Sequence, residues 1–271
     1  MNAALPSSLV LVGAGKMGGA MLEGWLALGL PPSAVTVFDP HASDEMRAFC
    51  AARGVSLNPE GAPAPAMLVL ATKPQSLETV APLVERMTGP ETVLVSILAG
   101  KTIDDLARRI PSARRIVRAM PNLPASIGAG ATGAYANEAV GEEGRAGAHA
   151  LLSANGLVEW VASEDLVDAV TALSGSGPAY VFHLVEALAE AGAAAGLPPD
   201  LAARLARQTV VGAGRLMEAS ELGPDVLRRN VTSPGGTTAA ALEVLMGEGG
   251  LGPLMRDAVA AAKRRAGELS G

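Results

Sequence analysis

A glycine-rich turn between a strand and a helix constrains this chain more than any other feature. The apolar run Ser8–Val12 predicts a buried strand, and the segment G-A-G-K-M-G that follows leads into a helical pattern reaching Leu28. In a G-x-G-x-x-G spacing the first glycine permits a tight turn, the second lets a pyrophosphate approach the backbone, and the third lets helix and strand pack closely. We therefore predict a dinucleotide-binding turn made of Gly13, Ala14, Gly15, Lys16, Met17 and Gly18.

Short apolar strands alternate with helical patterns through the first 162 residues. Such alternation indicates βαβ units and a parallel sheet covered on both faces. The fold class is therefore α/β, with residues 1–162 forming an N-terminal Rossmann-like, doubly wound domain. We expect strands at 8–12, 35–39, 66–71, 92–98, 115–119, 129–135 and 157–161, and helices at 16–28, 44–53, 76–87, 103–110 and 138–154.

Residues 163–271 carry no further strand signal and are rich in Ala, Leu and Val. The stretch Ala187–Ala195 is poor in charge, so we expect a C-terminal all-helical dimerisation domain that buries one face against a second copy. A homodimer follows, with a higher homo-oligomer left open. The predicted helices are 166–173, 179–195, 201–220, 224–229, 237–245 and 251–268, with Ser163 and Asp200 as N-caps.

An acidic residue, Asp39, ends the second predicted strand, 21 positions after Gly18. A carboxylate at this position usually accepts hydrogen bonds from the adenosine ribose hydroxyls and disfavours a 2′-phosphate. Asp39 therefore favours NADH. A simple turn at Asp39-Pro40 before the next helix is the alternative.

Further candidates follow the later strands at their carboxyl ends, where open parallel sheets place their ligands. Pro74 favours an extended conformation at Lys73, although Lys73 could also be a solvated loop residue. Two small residues after the fourth strand leave room for a flat nicotinamide ring, and Asn122 can hydrogen-bond a carboxamide or a ribose. The cofactor-binding candidates of these loops are Ala71, Thr72, Lys73, Pro74, Ala99, Gly100 and Asn122.

Two polar, glycine-rich segments interrupt the apolar second half. Leu173–Tyr180 reads as a loop that ends in a proline at a helix start, and Val231–Thr238 reads as a hydroxyl-rich turn that opens another helix. Backbone N–H groups at a helix N-terminus, with hydroxyls beside them, form a receptor for a small carboxylate, and ordinary helix capping is the alternative. The candidate substrate-binding residues are Ser176, Ser233, Gly235, Gly236, Thr237 and Thr238.

The chain resembles the pyrroline-5-carboxylate reductase family along essentially its whole length. Val231–Thr238 matches that family's signature, and Ala172–Tyr180, Thr72–Gln75 and the glycine turn match further segments in order. The resemblance implies hydride transfer from NADH or NADPH to 1-pyrroline-5-carboxylate, giving L-proline in the last step of proline biosynthesis, at a site between the two domains to which a second subunit can contribute.

The same resemblance implies individual roles. Ser233 and the backbone at Gly236, Thr237 and Thr238 would bind the substrate carboxylate. Thr238 would be the catalytic residue, with its hydroxyl on the ring nitrogen, and Asn58 would lie near the adenosine ribose. On its own, Asn58-Pro59 reads as an ordinary turn.

Two positions depart from the family pattern. Leu123 replaces the small hydroxyl residue that often follows Met-Pro-Asn, which leaves the nicotinamide contact of that loop open. Many family members use NADPH, yet no arginine follows Asp39 until Arg47. The preference between NADH and NADPH therefore stays open.

Composition argues against several other classes. The net charge of −6 and pI near 5.2 argue against nucleic-acid binding. One cysteine, Cys50, in an apolar helical stretch, fits a buried hydrophobe in a reducing cytoplasm. We see no basic leader that would predict export, and no uninterrupted apolar span that would predict a membrane protein. The scattered His41, His149 and His183 predict no metal site.

Three rival functions can be compared. A β-hydroxyacid dehydrogenase would need an acid–base lysine on the helix after Gly177, where Tyr180, His183 and Glu186 stand instead. His183 could replace that lysine as a general acid, but a single histidine on an apolar face is more often a core residue. A dinucleotide sensor without turnover would leave Ser233–Thr238 unexplained. Reduction of a six-membered imine stays open, since one methylene is worth only ~1–3 kcal/mol.

Overall fold

Residues 5–270 are described in the computed structural model, and they form two compact units. The first unit contains the described residues up to Ser176 together with those from Ala262 onward, and the second contains Gly177–Ala261. The final helix, Leu251–Ser270, therefore contributes residues to both units. The domain boundary expected between residues 162 and 163 stays a prediction.

The first unit is built on an eight-stranded sheet with the order β3-β2-β1-β4-β5-β6-β7-β8. Every neighbouring pair is parallel except β6 and β7, which are antiparallel. Because the order runs outward from β1 in both directions, the predicted doubly wound arrangement is confirmed. The strands are β1 (Leu9–Val12), β2 (Val35–Phe38), β3 (Ser56–Leu57), β4 (Met67–Leu70), β5 (Val93–Ser96), β6 (Arg115–Met120), β7 (Gly130–Ala136) and β8 (Gly156–Trp160).

Helices cover both faces of this sheet. Side chains alternate along β1, so Leu9 and Leu11 pack into one core with Trp25, whereas Val10 and Val12 pack into the opposite core. Burial on both faces is the reason that these strands read as continuous apolar runs. Besides the end of the final helix, the α-helices of this unit are α1 (Lys16–Ala27), α2 (Asp44–Arg53), α3 (Leu77–Met87), α4 (Ile103–Arg109), α5 (Gly141–Ser153) and α6 (Leu166–Val170).

Several predicted elements differ from the structure. The two-residue strand β3 was not predicted, because two residues carry no periodic signal. The helix expected over 138–154 is a short 3₁₀ turn followed by α5, and the break falls at Gly141, the first residue of α5, which has φ +65°. Both predicted N-caps are wrong: Asp200 lies inside its helix, whose N-cap is Pro198, and α6 has Asp165 as its N-cap.

The segment expected to be a loop before Pro178 is helical instead. A π-helix, Thr171–Gly175, continues directly from α6, and the Ser176 N–H closes it by donating to the Thr171 carbonyl at 2.8 Å. The i→i+5 hydrogen-bond register of a π-helix is rare and often marks functional sites.

The second unit consists of helices α7 (Gly177–Ala194), α8 (Pro199–Glu218), α9 (Pro224–Asn230), α10 (Thr237–Leu245) and the first part of α11 (Leu251–Ser270). Gly192 of α7 allows close packing on Ala202 of α8, because a Cβ at Gly192 would lie 3.2 Å from the Ala202 Cβ. No residue of the apolar helix α7 is buried. The interpretation of His183 as a core residue is wrong, since its side chain is 81% exposed and contacts Glu186.

Candidate active site

The glycine turn lies at the carboxyl end of β1 and has the geometry that the sequence predicts. Gly13 has φ +93°, a conformation that L side chains rarely adopt, and its N–H donates to the Phe38 carbonyl at 2.9 Å. A Cβ at Gly18 would lie 2.1 Å from the Gly13 carbonyl oxygen. Only a residue without a side chain therefore lets α1 start this close to β1.

Gly15 is the N-cap of α1, and no side chain caps this helix end. A Cβ placed on Gly15 would meet nothing within 4 Å, so the space in front of the first turn is open. The first N–H groups of a helix have no intrahelical acceptor, and the helix dipole favours an anion there. The turn therefore offers donors and space to a phosphate group.

Asp39 connects this turn to the end of β2. Its Oδ2 accepts a hydrogen bond from the Ala14 N–H at 2.8 Å, and its Oδ1 accepts one from the His41 N–H at 2.9 Å. The carboxylate is thus fixed beside the glycine turn, which is where a ribose would lie if the turn held the phosphates of a dinucleotide.

An open cavity of about 1020 Å³ runs along this side of the sheet. It extends from Asp39 past the first turn of α1 to Asn122, so both ends and the middle of an extended dinucleotide have candidate contacts. Of the predicted site residues, six line it: Ala14, Gly15, Lys16, Met17, Asp39 and Asn122. The cavity is also lined by Gly175, which lies in the predicted polar segment Leu173–Tyr180, and by residues that the sequence did not predict as site residues, among them His41, Ser43, Met46 and Phe49 in or just before α2.

The remaining predicted cofactor residues lie at the same carboxyl edge without lining this cavity; they are Gly13, Gly18, Asn58, Ala71, Thr72, Lys73, Pro74, Ala99 and Gly100. Lys73 is exposed and extended at φ −67° and ψ 142°, as Pro74 requires. The Thr72 hydroxyl oxygen is buried, and a Cβ at Gly100 would lie 3.0 Å from the Leu269 Cβ. The contacts predicted for these residues stay predictions.

Both polar atoms of the Asn122 side chain form hydrogen bonds with backbone groups. Its Nδ2 donates to the Ser174 carbonyl at 3.0 Å, and its Oδ1 accepts from the Ala131 N–H at 2.9 Å. These bonds join the end of β6 to the π-helix and to β7. The Asn122 side chain lines the cavity, but its first structural task is to hold the turn that contains Gly175.

A buried ion pair holds the helix that leads into this turn. Arg118 in β6 is 3% exposed, and its guanidinium contacts Glu164 at 3.3 Å and Asp168 at 2.6 Å. Glu164 also accepts the Ile103 N–H at the start of α4 at 2.7 Å. Paired carboxylates of this kind offset the cost of burying the arginine and fix α6 against the sheet.

The predicted carboxylate receptor lies in the second unit. Gly235 has φ +67°, the Gly236 N–H donates to the Ser233 carbonyl at 3.0 Å, and α10 then begins at Thr237. Gly236 is the N-cap and provides no side-chain cap, so the first N–H groups of α10 lack intrahelical acceptors. Together with the Ser and Thr hydroxyls, this is the donor set that a carboxylate needs.

The cysteine and the possible metal ligands add no further candidate site among the described residues. Cys50 lies buried in α2, and burial raises the pKa of its thiol, which keeps it protonated and poorly nucleophilic. Within residues 5–270, no cluster of three His, Cys, Asp or Glu is placed to hold a metal ion. Over the same residues, no helix combines the length and apolar character that crossing a membrane requires.

Comparison with known proteins adds two family matches. Residues 164–269 match the family described as pyrroline-5-carboxylate reductase dimerisation, and residues 8–100 match the family described as NADP oxidoreductase, coenzyme F420-dependent. The pyrroline-5-carboxylate reductase of Pseudomonas aeruginosa is 39% identical over 97% of this chain and 96% of its own. That of Synechocystis sp. is 41% identical over 96% of this chain and 97% of its own.

Solved structures agree with these matches. A pyrroline-5-carboxylate reductase from Coxiella burnetii has a TM-score of 0.90 at 39% identity and covers 98% of this chain, with 99% of its own chain aligned. The Plasmodium falciparum pyrroline carboxylate reductase, solved with NADP bound, has a TM-score of 0.80 at 26% identity over 99% of this chain and 100% of its own. By sequence and by fold, the chain belongs to the pyrroline-5-carboxylate reductase family.

Proposed function

We propose that this chain reduces 1-pyrroline-5-carboxylate to L-proline with NADH or NADPH, as the last step of proline biosynthesis. The observation that carries the proposal is the cavity that runs from Asp39 past the uncapped start of α1 to Asn122. Its open helix end suits the phosphates of a dinucleotide, and family membership supports the cyclic imine as substrate.

The reaction needs placement more than strong acid–base chemistry. The bound dihydronicotinamide would supply the hydride, and a cyclic imine is already electrophilic once its nitrogen is protonated. The chain's own residues therefore have to hold the imine carboxylate still and keep the ring in register, which accounts for much of the rate in such reactions.

The substrate-binding residues of this proposal are those of the predicted carboxylate receptor in the second unit. The Ser233 hydroxyl and the N–H groups around Gly236 and Thr237 would bind the carboxylate, with Gly235 supplying the turn. The Thr238 hydroxyl would contact the ring nitrogen and relay its proton. Ser176, directly after the π-helix, is a further proposed substrate-binding residue.

The first experiment is to follow NADH and NADPH oxidation by the purified protein with 1-pyrroline-5-carboxylate. Rapid oxidation dependent on the imine would support the proposal. If either dinucleotide binds but neither is oxidised with this imine, the proposed substrate is wrong.

A hydroxyl deletion tests the proposed role of Thr238. Thr238→Ala should lower kcat/KM for the imine by about 100-fold, the scale of a positioned proton relay, while Thr238→Ser should recover most of it. Thr209→Ala is the matched control, because the Thr209 hydroxyl also lies in the second unit but donates within α8. An unchanged kcat/KM in Thr238→Ala would exclude the relay.

Assembly and location are further parts of the proposal. The match to a dimerisation family over 164–269 supports a homo-oligomer, and we propose a homodimer through the helical half. The cytoplasmic location suggested by the single cysteine remains a prediction, consistent with the biosynthetic role of the relatives.

A further inference from the structure

The end of β6 presents alternate side chains to the segment formed by α6 and the π-helix. Along a strand, successive side chains point to opposite faces of the sheet, and Val117 and Ala119 pack into one core. Arg118, Met120 and Asn122 lie on the other face, where each contacts a different part of that segment. One strand therefore holds α6 and the π-helix at three points.

The first point is the ion pair at α6. The Arg118 guanidinium is buried and contacts Asp168, inside α6, at 2.6 Å and Glu164, just before α6, at 3.3 Å. A buried charge is stable only beside its partners, so the two carboxylates restrict the guanidinium, and the guanidinium restricts α6 in turn. Glu164 also accepts the Ile103 N–H, which further limits how the start of α6 can move.

The other two points are at the end of the π-helix. A Cβ at Gly175 would lie 2.9 Å from the Met120 Cε, so Gly175 lies directly against the Met120 side chain. The Asn122 Nδ2 donates to the Ser174 carbonyl at 3.0 Å. Gly175 and Asn122 both line the large cavity, so this end of the π-helix is part of its wall.

The position of Gly175 depends on the hydrogen-bond register of the segment before it. The Ser176 N–H donates to the Thr171 carbonyl, five residues earlier, whereas an α-helix would use the carbonyl four residues earlier. The two registers differ by one residue over the same turn, so a change of register would move Gly175 along the wall. Contacts that fix the segment at both ends, at Asp168 and at Ser174, therefore select the register.

We propose that Arg118 is a positioning residue for the reduction: by holding Asp168 it keeps the π-helix in register and Gly175 in the cavity wall beside Asn122. Arg118 itself does not line the cavity, so it acts through the π-helix. The inference rests on the proposed function in treating the cavity as the dinucleotide site, with the dihydronicotinamide ring at the Asn122 end. A displaced Gly175 would move that ring relative to the imine and leave the phosphates at the glycine turn in place.

The experiment compares each dinucleotide with a shorter ligand that lacks the nicotinamide riboside, namely ADP for NADH and 2′-phospho-ADP for NADPH. Titration calorimetry gives Kd for these ligands in wild type and in Asp168→Asn, which keeps the size of the side chain and removes its charge. We expect the dinucleotide Kd to rise about tenfold and the Kd of the shorter ligand to change less than about twofold. At saturating dinucleotide, kcat with the imine should fall about tenfold or more, because small misplacements of reacting groups are costly.

Arg118→Lys is a second variant, which keeps the positive charge. A lysine ammonium is a compact point charge and does not reproduce the contacts that the planar guanidinium makes to both Glu164 and Asp168. The same separation between the dinucleotide and the shorter ligand is therefore expected. Circular dichroism shows whether each variant is folded, and Arg118→Lys carries the test if Asp168→Asn does not fold.

Glu91→Gln is the matched control. Glu91 pairs at 2.7 Å with Arg115, which also belongs to β6, and neither residue lines the cavity. This change removes a carboxylate charge from an arginine of the same strand without touching α6. The Kd values and kcat should therefore stay as in wild type.

Equal weakening of the dinucleotide and the shorter ligand would overturn the proposal, since general loosening of the unit would then explain both. Unchanged dinucleotide Kd and kcat in the folded variants would also overturn it and leave the ion pair with a structural role alone. A wild type that binds neither dinucleotide would instead contradict the proposed function itself.

Discussion

Two neighbouring glycines at the start of α1, Gly18 and Gly19, differ in their surroundings, and the G-x-G-x-x-G spacing singles out only Gly18. A Cβ at Gly18 would meet the fixed Gly13 carbonyl oxygen at 2.1 Å, whereas the close contact of a Cβ at Gly19 would be the flexible end of Met46, at 2.7 Å, with the Ala14 carbonyl oxygen at an ordinary 3.6 Å. Gly18→Ala should therefore lower the free energy of unfolding by at least ~1–3 kcal/mol, and Gly19→Ala by much less. Chemical denaturation of the two variants compares them directly, and equal stability would show that the loop can relax.

Gly15 should separate ligand binding from stability. Because a Cβ there meets nothing within 4 Å, Gly15→Ala should unfold at the wild-type temperature. The added methyl would occupy the space in front of the α1 N–H groups, so dinucleotide binding should weaken about tenfold or more. Thermal unfolding and dinucleotide titration on the same sample test both parts. A lowered melting temperature would mean that the open space is structural.

Single residues were predictable where their role depends on the local backbone. The spacing of Gly13, Gly15 and Gly18 was sufficient to predict their structural roles, because a turn between a strand and a helix fixes what each glycine must do. Asn122 shows the limit. Its bonds to Ala131 and Ser174 join residues 9 and 52 positions away, and nothing in the local sequence indicates such partners.

At the scale of elements, the N-terminal cap of α4 is expected to stabilise the fold by an amount that depends on pH. Thr102 and Asp105 form a capping box. Burial alone would raise the pKa of Asp105, but hydrogen bonds from the Thr102 N–H and hydroxyl, with the charges of Arg109 and Lys101, hold it below its ordinary 3.8. A lowered pKa stabilises the fold fully above that ordinary value, and the stabilisation is lost as pH falls through the folded-state pKa.

Thr102→Ala should therefore cost about 1 kcal/mol of unfolding free energy near neutral pH, and the difference from wild type should shrink below about pH 4. Urea denaturation at the two pH values measures it. Ser43→Ala is the control, because Ser43 caps α2 through the Met46 N–H without a reciprocal carboxylate bond. A Thr102→Ala cost that stays constant into acid would remove Asp105 from the explanation.

Helix bounds were predictable where the apolar period continues from cap to cap. The expected helix 237–245 and α10 have the same bounds. The apolar period did not predict the π-helix Thr171–Gly175, since a π-helix differs from an α-helix in hydrogen-bond register and not in residue type. The edge strand β3 was missed because only its pairing with β2 defines it.

At the scale of the whole molecule, the second unit exposes apolar side chains that a single chain leaves uncovered. Phe182 of α7 is 56% exposed, and Leu28 of the first unit is 54% exposed. If α7 forms the proposed dimer interface, Phe182→Asp should shift the protein toward monomer, and Leu28→Asp should not. Sedimentation equilibrium distinguishes these outcomes. A dimeric Phe182→Asp variant would place the interface elsewhere.

The division of the chain could be predicted only in part. A strand-rich first half and a helical second half follow from the two hydrophobic periods, which are local properties. The assignment of residues from Ala262 onward to the first unit depends on long-range packing, such as that of Leu269 on Gly100. No change of composition in the sequence marks the point near Ala262 where the chain returns to the first unit.

The π-helix at Thr171–Gly175 also has a genetic consequence. A π-turn holds one more residue than the α-helical turn it replaces, so deleting a single codon there could restore a continuous helix from Leu166. Because the wider turn accommodates the extra residue, the side chains after it would keep nearly the directions they have now, and only the turn that contains Gly175 would change. One in-frame deletion is thus a short evolutionary route to a different wall of the same cavity.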